Sequence, residues 1–193
     1  MGYYRQSELL EMGFKSLGRN VKISTKASIY DPEQITLSDH VRVDDFAMLS
    51  GKVSLGWYVH IGAYSLLAGG QAGITFEEWS GVAYRVSVFA QSDDYTGAAL
   101  ATPEVPSRYR KESKKPVLVK KHAAIATGSI VLPGVTIAEG SIICAMSLVR
   151  KSTESWTIYQ GDPLRRLGAR KKDILQREEQ FLRDRSAGRG TSL

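Results

Sequence analysis

A large aliphatic residue recurs at every sixth position in two stretches of this 193-residue chain. The first stretch reads Leu37, Val43, Leu49, Leu55, Ile61 and Leu67, and the second reads Val119, Ile125, Val131, Ile137, Ile143 and Val149. An amphipathic helix repeats its apolar residues at intervals of three and four, and a half-buried strand alternates with period two. A period of six fits neither element and is typical of a solenoid of very short strands.

Small residues accompany the last five aliphatic residues of the second stretch, two positions before each one. They are Ala123, Ser129, Val135, Ser141 and Ser147. Turn-tolerant residues fill the places between, so the chain can bend sharply after each strand. Three bends close a triangular coil of about eighteen residues, and the aliphatic residues stack from coil to coil. The pattern predicts an all-β fold, a parallel β-helix of about six coils, rather than a sandwich with coincidental spacing.

Breaks in the period predict the boundaries of the domain. Residues 1–20 precede the coils, and the β-helix is expected over residues 21–162. The period disappears over residues 93–116, a charged segment with three prolines, which predicts a long loop that leaves the coils. Residues 163–193 are expected to form a C-terminal helix and a tail.

The two ends of the chain carry helix signals. A short helix is predicted from Ser7 to Met12, with Ser7 as its N-cap and Gly13 as its stop. The C-terminal helix is predicted to begin at Asp162-Pro163 and to end near Arg185, because apolar residues mark one face of this segment. The tail, residues 186–193, is expected to be disordered.

Composition narrows the class of protein. No stretch is apolar enough over the length that a membrane span requires, and the N-terminus lacks the apolar core of a signal peptide. We therefore expect a cytoplasmic protein without a membrane partner. A single cysteine, Cys144, excludes an intrachain disulfide and fits a reducing compartment. It follows core position Ile143, which favours a packing role over a nucleophilic one.

The net charge of +6 is concentrated in two basic segments. One segment covers residues 163–185, and the other surrounds the predicted loop. The loop cluster comprises Arg108, Arg110, Lys111, Lys114, Lys115, Lys120 and Lys121. Neither segment has interleaved aromatic residues or a nucleic-acid-binding module, so we expect no nucleic-acid partner. Such clusters equally suit a ligand with several phosphates.

Three longer segments carry a resemblance to a known family. They read HVRVDDFAMLSGKVSLGWYVHIGAYSLLAGG (40–70), FAQSDDYTGAAL (89–100) and ICAMSLVRKSTESWTIYQGDPLRRL (143–167). Over about residues 20–170 the chain resembles the left-handed β-helix hexapeptide-repeat acyltransferases. The last segment matches their closing G-x-P followed by a basic residue. The closest similarity is to the branch that acylates nucleotide-linked amino sugars, which includes dTDP-anthrose N-acyltransferases.

The resemblance implies a left-handed parallel β-helix, a homotrimer with active sites between subunits, and acyl-CoA as co-substrate. The pantetheine arm of CoA would lie beside outward-facing residues of the later coils, and its phosphates near basic residues where the coils end. The candidates for the arm are Ala124, Ala126, Ala145 and Met146, and those for the phosphates are Arg165, Arg166 and Lys151. The basic residues can alternatively be solvated charges.

The sequence at the start of the loop departs from part of the superfamily. Galactoside and maltose acetyltransferases carry a catalytic histidine there, in a Gly-His-Pro segment, whereas this chain has Gln91 to Tyr95 without histidine. A carboxylate of pKa about 4 is a weak base for a sugar hydroxyl. An amine that titrates near roughly pH 8 is partly neutral already and needs mainly orientation. We therefore expect N-acylation, with Asp94 orienting the amino group and the CoA thiolate or a water taking the proton.

Each of the remaining candidate site residues can alternatively have only a structural role. Asp93 and Asp94 can bind the sugar or only cap the turn at the loop entrance. Tyr84 and Arg85 can line the same cleft or lie on the surface. His60 is expected to point outward, as a catalytic residue or as a surface or trimer-contact residue. Asp44 and Asp45 can bind the acceptor sugar or serve only a turn, with binding favoured for Asp45. His40 and His122 are expected to be structural turn residues.

Three other functions compete with N-acylation of a nucleotide-linked amino sugar. An O-acetyltransferase acting on a glycan, a saccharide or an antibiotic remains the alternative. A γ-type carbonic anhydrase needs three metal-binding histidines, including a pair five residues apart, and His40, His60 and His122 offer no such pair. We accordingly expect no metal. A non-enzymatic scaffold does not account for a long loop directly after paired carboxylates.

Overall fold

The computed structural model describes residues 2–187, and these residues form a parallel β-helix, as the six-residue period predicts. In chain order the strands are β1 (Ser16–Leu17), β2 (Lys22–Ile23), β3 (Ser28–Ile29), β4 (Ile35–Leu37), β5 (Arg42–Val43), β6 (Met48–Leu55), β7 (His60–Ile61), β8 (Leu66–Phe76), β9 (Gly81–Val82), β10 (Ser87–Phe89), β11 (Gln91–Asp93), β12 (Glu112–Lys114), β13 (Val117–Val119), β14 (Ala124–Ile125), β15 (Ile130–Val131), β16 (Thr136–Ile137), β17 (Ile142–Ile143), β18 (Leu148–Val149), β19 (Thr157–Gln160) and β20 (Arg165–Ala169). The helices are α1 (Gln6–Glu11) and α2 (Asp173–Ser186), with short 3₁₀ turns at Pro32–Gln34 and Ser107–Tyr109.

The strands stack into three faces. Strands β2, β5, β7, β9, β14, β17 and β19 form the first face. The second face contains β3, β10, β15, β18 and the first halves of β6 and β8. The third face contains β1, β4, β13, β16 and the second halves of β6 and β8. The third face therefore begins at Ser16, before the predicted start of the coils at residue 21.

The core is the column of aliphatic side chains inside the triangle. Every member of both sixfold series is buried. The first series slips after Gly69-Gly70 and resumes at Phe76, Val82 and Val88, which are buried as well. Because one inward residue per short strand fills the interior, the period predicts the direction of each core side chain.

The turns define three corners, which we name by the faces they join. The first corner joins the third face to the first, the second corner joins the first face to the second, and the third corner joins the second face to the third. At the first corner His40, Tyr58, Trp79, His122 and Trp156 all adopt positive φ. The rings of His40, Tyr58 and Trp79 stack with centroids 4.5 and 4.3 Å apart. The prediction that His40 and His122 are structural turn residues is confirmed.

The predicted start of the C-terminal helix at Asp162-Pro163 is wrong. The chain reverses after β19 and forms β20, which pairs antiparallel with it, and α2 begins only at Asp173. The physical reason is that the last coil exposes a strand edge, which β20 covers with hydrogen bonds. Of the tail predicted for 186–193, residues 188–193 lie outside the described residues.

The N-terminal helix also differs from the prediction. It runs from Gln6 to Glu11, with Arg5 rather than Ser7 at the N-cap position. The Glu8 carboxylate accepts a hydrogen bond of 2.6 Å from the Arg5 backbone N–H, which satisfies a donor at the helix start. The Glu8 carboxylate, at the third helical residue, thus stabilises a helix that begins at Gln6.

Helix α2 packs across the first corner. Glu178 accepts from His122 Nε2 and pairs with Lys121, both at 2.8 Å. The Phe181 ring lies edge-on to Trp79 and Tyr58, with centroids 5.4 and 5.5 Å away. The first corner is therefore covered by the chain's own C-terminal segment. Within residues 2–187, no helix is long and apolar enough to cross a membrane.

Candidate active site

The long loop leaves the coils at the third corner. Strand β11 pairs antiparallel with β12, so the loop begins and ends as a two-stranded ribbon. The coils resume at Val117, immediately after the predicted loop of residues 93–116. The ribbon fixes the position of Asp93 and Asp94 relative to the coils, because Asp93 is its last paired residue on the outgoing strand.

Asp94 lies just beyond the ribbon, and its side chain is only 9% exposed. Its Oδ1 accepts a hydrogen bond of 2.8 Å from the Thr96 backbone N–H, so Asp94 does cap a turn. Its Oδ2 lies 3.7 Å from the Lys111 ammonium and accepts no hydrogen bond from the described residues. The hydrogen bonds from Thr96, with Lys111 nearby, hold the pKa of Asp94 below its ordinary value. The carboxylate is therefore ionised and keeps one oxygen for a ligand.

A cavity of about 480 Å³ opens between the ribbon and the third corner, and we name it the ribbon cavity. Asp93 and Arg110 lie on its polar side, and Phe89 and Leu132 on its apolar side. Arg110 Nη1 lies 3.3 Å from Glu112, while its Nε is buried without a hydrogen-bond partner among residues 2–187. Asp93 thus lines a space of ligand size at the loop base, and Asp94 is the next residue along the chain.

Tyr84 and Arg85 lie at the second corner, before β10, whereas Asp94 follows β10 and β11. The second face therefore separates them from Asp94 within one chain. Tyr84 is 57% exposed, and the Arg85 guanidinium lies 5.7 Å from the centre of the Tyr64 ring. That these two residues line a cleft with Asp94 stays a prediction, which requires a second copy of the chain.

His60 lies on the outer surface of the first face, as predicted, with its side chain 45% exposed. Its Nε2 lies 2.8 Å from Oδ2 of Asp44, and the other oxygen of Asp44 accepts from Arg42 Nε at 2.7 Å. Asp44 is almost fully buried. Both oxygens of Asp44 are engaged within the protein, which supports its turn alternative over sugar binding.

Asp45 uses both carboxylate oxygens within the protein. One accepts a hydrogen bond from the Ser24 hydroxyl, and the other lies 3.3 Å from the Lys26 ammonium. The hydrogen bond from Ser24, with Lys26 beside it, holds the pKa of Asp45 below its ordinary value. This arrangement supports the turn alternative for Asp45 over sugar binding.

The candidate CoA residues occupy two places. Ala124 lies on the first face between Gly81 and Ile142 in the adjacent coils. Half-buried Ala126 follows it, and Ala145 and Met146 are exposed at the second corner. The basic candidates are all exposed: Lys151 follows β18, and Arg165 and Arg166 lie on β20. No group of three or more metal-ligating side chains occurs in the part of the chain that the structure describes.

Known proteins resemble this chain over nearly its whole length. The chain is 38% identical over 184 residues to the dTDP-4-amino-4,6-dideoxy-D-glucose acyltransferase of Escherichia coli, which covers 94% of the chain and 95% of that protein. A solved structure of a point variant of AntD, an N-acyltransferase from Bacillus cereus, in complex with dTDP-4-amino-4,6-dideoxyglucose and coenzyme A is 45% identical, with a TM-score of 0.93 over 95% of this chain and 98% of that one.

A second structure of AntD, in complex with dTDP and 3-hydroxybutyryl-CoA, is 44% identical and also has a TM-score of 0.93, again over 95% of this chain and 98% of that one. No family model matches the chain. The similarity to the two AntD structures includes the loop as well as the coils, because almost all of each chain is covered.

Proposed function

The chain belongs to the hexapeptide-repeat family of N-acyltransferases that includes the dTDP-4-amino-4,6-dideoxy-D-glucose acyltransferase of Escherichia coli and AntD of Bacillus cereus, and on that basis we propose that it transfers an acetyl or short acyl group from acyl-CoA to the amino group of a dTDP-linked amino sugar. The amino sugar then enters surface-glycan synthesis, and the reaction takes place in the cytoplasm. The O-acetyltransferase alternative would require a base for the sugar hydroxyl, and the sequence has no histidine at the start of the loop.

The geometry at Asp94 is the observation that most directly supports this proposal. Its ionised carboxylate has one buried oxygen that accepts no hydrogen bond in the described chain and lies 3.7 Å from the Lys111 ammonium, an environment that suits an amino or ammonium group. The three histidines of the sequence are His40, His60 and His122, and none lies in the loop. A site that orients an amine without an adjacent strong base supports N-acylation over O-acylation.

The reaction balances with the amine and the thioester alone. The lone pair of the neutral amine attacks the thioester carbonyl carbon, and a carbon–nitrogen bond forms. The carbon–sulfur bond then breaks, and its electron pair leaves on the CoA sulfur. The nitrogen loses one proton to the departing thiolate or to a water, which gives an amide and free CoA. Asp94 holds the amine toward the thioester.

The direct test is a thiol-release assay with acetyl-CoA and longer acyl-CoAs. The acceptor is dTDP-4-amino-4,6-dideoxyglucose, and the matched control is the same nucleotide sugar with a hydroxyl in place of the amino group. We expect release only with the amine, together with an amide product by mass spectrometry. Equal rates with the hydroxyl compound would favour the O-acetyltransferase, and no release with either would overturn both.

The CoA phosphates are assigned to Arg165 and Arg166, with Lys151, which follows β18, as a further candidate. An exposed charge-assisted contact is worth less than a buried one, so Arg165→Ala combined with Arg166→Ala should raise the KM for acetyl-CoA by about tenfold. The KM for the amino sugar should stay unchanged. Initial rates with acetyl-CoA and its 3′-dephospho analogue measure this effect. An equal increase in KM for both CoA forms would exclude contact with the 3′-phosphate.

A homotrimer is the proposed assembly, and the outward residues of the faces support it. Those of the third face are mostly Ser and Thr, whereas the second face presents Met48, Leu66, Ile130 and Leu148. Three copies that bury the second face around one axis would bring the second corner of each copy beside the third corner of the next. Tyr84 and Arg85 would then approach Asp94 of a neighbour.

Sedimentation equilibrium tests this assembly. The wild-type protein should have the mass of three chains, and Ile130→Asp on the second face should dissociate it. Thr75→Asp, at an outward position of the third face, is the matched control and should leave the mass unchanged. Dissociation by Thr75→Asp but not by Ile130→Asp would assign the interface to the other face.

A further inference from the structure

A buried carboxylate on the first face holds two exposed side chains in fixed positions. Asp44 follows β5, and its side chain is only 4% exposed. Its Oδ1 accepts a hydrogen bond of 2.7 Å from Arg42 Nε, and its Oδ2 lies 2.8 Å from His60 Nε2. Arg42 and His60 are register partners on the adjacent strands β5 and β7, so one carboxylate fixes both. We name these three residues the Asp44 cluster.

The Asp44 cluster determines which nitrogen of His60 carries the hydrogen. A carboxylate only accepts hydrogen bonds, so the nitrogen that faces it, Nε2, is the donor. In the neutral ring Nδ1 then has a lone pair and accepts. Nδ1 has no hydrogen-bond partner among residues 2–187, and the side chain is partly exposed. His60 therefore presents a fixed hydrogen-bond acceptor at the surface of the first face.

The surface next to His60 leaves room for a ligand. The register partner of His60 in the next coil is Gly81, and Ala124 follows one coil further. A Cβ on Gly81 would lie 2.6 Å from the backbone carbonyl oxygen of His60, so the close stacking of the two coils requires glycine there. No side chain therefore extends over the imidazole from that strand position.

The Asp44 cluster lies close to the second corner. The hydrogen bond with Asp44 is the main reason that the pKa of Arg42 lies above its ordinary value, and Tyr84 at the second corner adds a smaller electrostatic contribution. In the proposed trimer the second corner meets the third corner of a neighbouring copy, where Tyr84 approaches Asp94. His60 would then lie at the edge of the cleft in which the amino sugar binds.

We propose that Asp44 is a positioning residue, and that the acceptor which it positions, His60 Nδ1, binds a ring hydroxyl of the amino sugar. This inference rests on the proposed function and on the proposed trimer. A hydroxyl is the partner because a sugar ring offers O–H donors beside the amine, and Asp94 already holds the amine. Asp44 itself does not contact the sugar, since both of its oxygens are engaged within the protein. The Asp44 cluster thus selects among acceptor sugars and takes no part in proton transfer.

The experiment measures binding without acyl-CoA, by isothermal titration calorimetry. His60→Gln keeps an amide N–H for Asp44 and removes the acceptor at Nδ1. For this variant we expect the Kd of dTDP-4-amino-4,6-dideoxyglucose to rise about tenfold and that of dTDP to stay unchanged. One of the 2-deoxy and 3-deoxy analogues of this sugar should bind the wild-type protein about tenfold more weakly, and should lose nothing further in His60→Gln.

Asp44→Asn tests the positioning role. An amide offers one oxygen to two donors, so it cannot hold both Arg42 and His60. We expect the same rise of about tenfold in Kd, and no further rise when Asp44→Asn is combined with His60→Gln, because both changes remove one contact. NMR of the ring nitrogens should show the Nε2–H form in the wild-type protein and a mixture of both forms in Asp44→Asn. Asp39→Asn, which removes a carboxylate paired with Arg19, is the matched control and should leave every Kd unchanged.

The outcomes separate this inference from the proposed function. An equal rise in Kd for dTDP and for the amino sugar in His60→Gln would overturn the hydroxyl contact. Losses that add in the double variant, or no loss in Asp44→Asn, would overturn the positioning role. If Asp44→Asn does not fold, an Nδ1–H ring in the wild-type protein has the same consequence.

The proposed function can fail separately. Should the wild-type protein bind the amino sugar with the expected pattern among the variants but transfer no acyl group, the inference stands and only the proposed function is lost. A wild-type protein that does not bind the amino sugar at all would overturn both.

Discussion

Replacing Ile137 with aspartate should leave the protein unfolded at 25 °C. Ile137 is completely buried in the aliphatic column, where a carboxylate finds no partner. Burying an unpaired charge costs more than the roughly 5–15 kcal/mol by which a typical domain is stable, or forces its protonation at several kcal/mol. The far-UV circular dichroism should lose its β signal, and the expressed protein should be mostly insoluble.

The control is Thr136→Asp, one position earlier on β16, where the side chain points outward on the third face. This variant should fold, with an unfolding free energy close to that of the wild-type protein, because its charge stays in water. If the Ile137→Asp protein were folded and active while the Thr136→Asp protein were unfolded, the assigned inward and outward directions of the two side chains would be reversed.

Replacing Asp94 with asparagine should slow turnover by about ten- to a hundredfold, below most of the roughly 10²- to 10⁴-fold range of a positioned acid or base. Asparagine keeps the shape and one oxygen, so it can still accept from Thr96, but it removes the charge that holds the amine. The KM for the amino sugar should rise as well, while that for acyl-CoA should not. Steady-state kinetics measure both values.

The pH dependence distinguishes orientation from base catalysis. Since the pKa of Asp94 lies below its ordinary value, its carboxylate is ionised throughout a neutral assay range and contributes no limb there. Activity should rise as the substrate amine loses its proton, near roughly pH 8, and the limb should persist in Asp94→Asn. Any stabilisation from Asp94 is likewise present above the ordinary pKa and lost as the pH falls through the lowered one.

The control for Asp94 is Glu104→Gln, which removes an exposed carboxylate from the same loop. It should leave both kcat and KM unchanged. A completely inactive Asp94→Asn protein, or a wild-type profile with a histidine-like pKa that vanishes in His60→Asn, would mean that a protein base is required. Asp44, which holds His60 Nε2, would then position that base.

The core could be predicted residue by residue. Because each coil places one large side chain inside each face, the sixfold series identified buried Ile125, Val131 and Ile137 without any knowledge of the topology. The resemblance to nucleotide-amino-sugar N-acyltransferases is confirmed by relatives that cover nearly the whole chain. The C-terminal helix was placed too early, because β20 depends on a strand edge that exists only after the coils have stacked.

The sequence by itself determined the coil, the direction of its core side chains and the point at which the loop departs, since all three depend on residues within one repeat. Only the tertiary structure decided which distant groups meet. Glu178 reaches His122 across 56 positions, Asp44 pairs with His60 in the next coil, and Lys111 returns to Asp94. The six-residue period does not predict these contacts, because they depend on how the coils stack and on where the loop and the last helix pack against them.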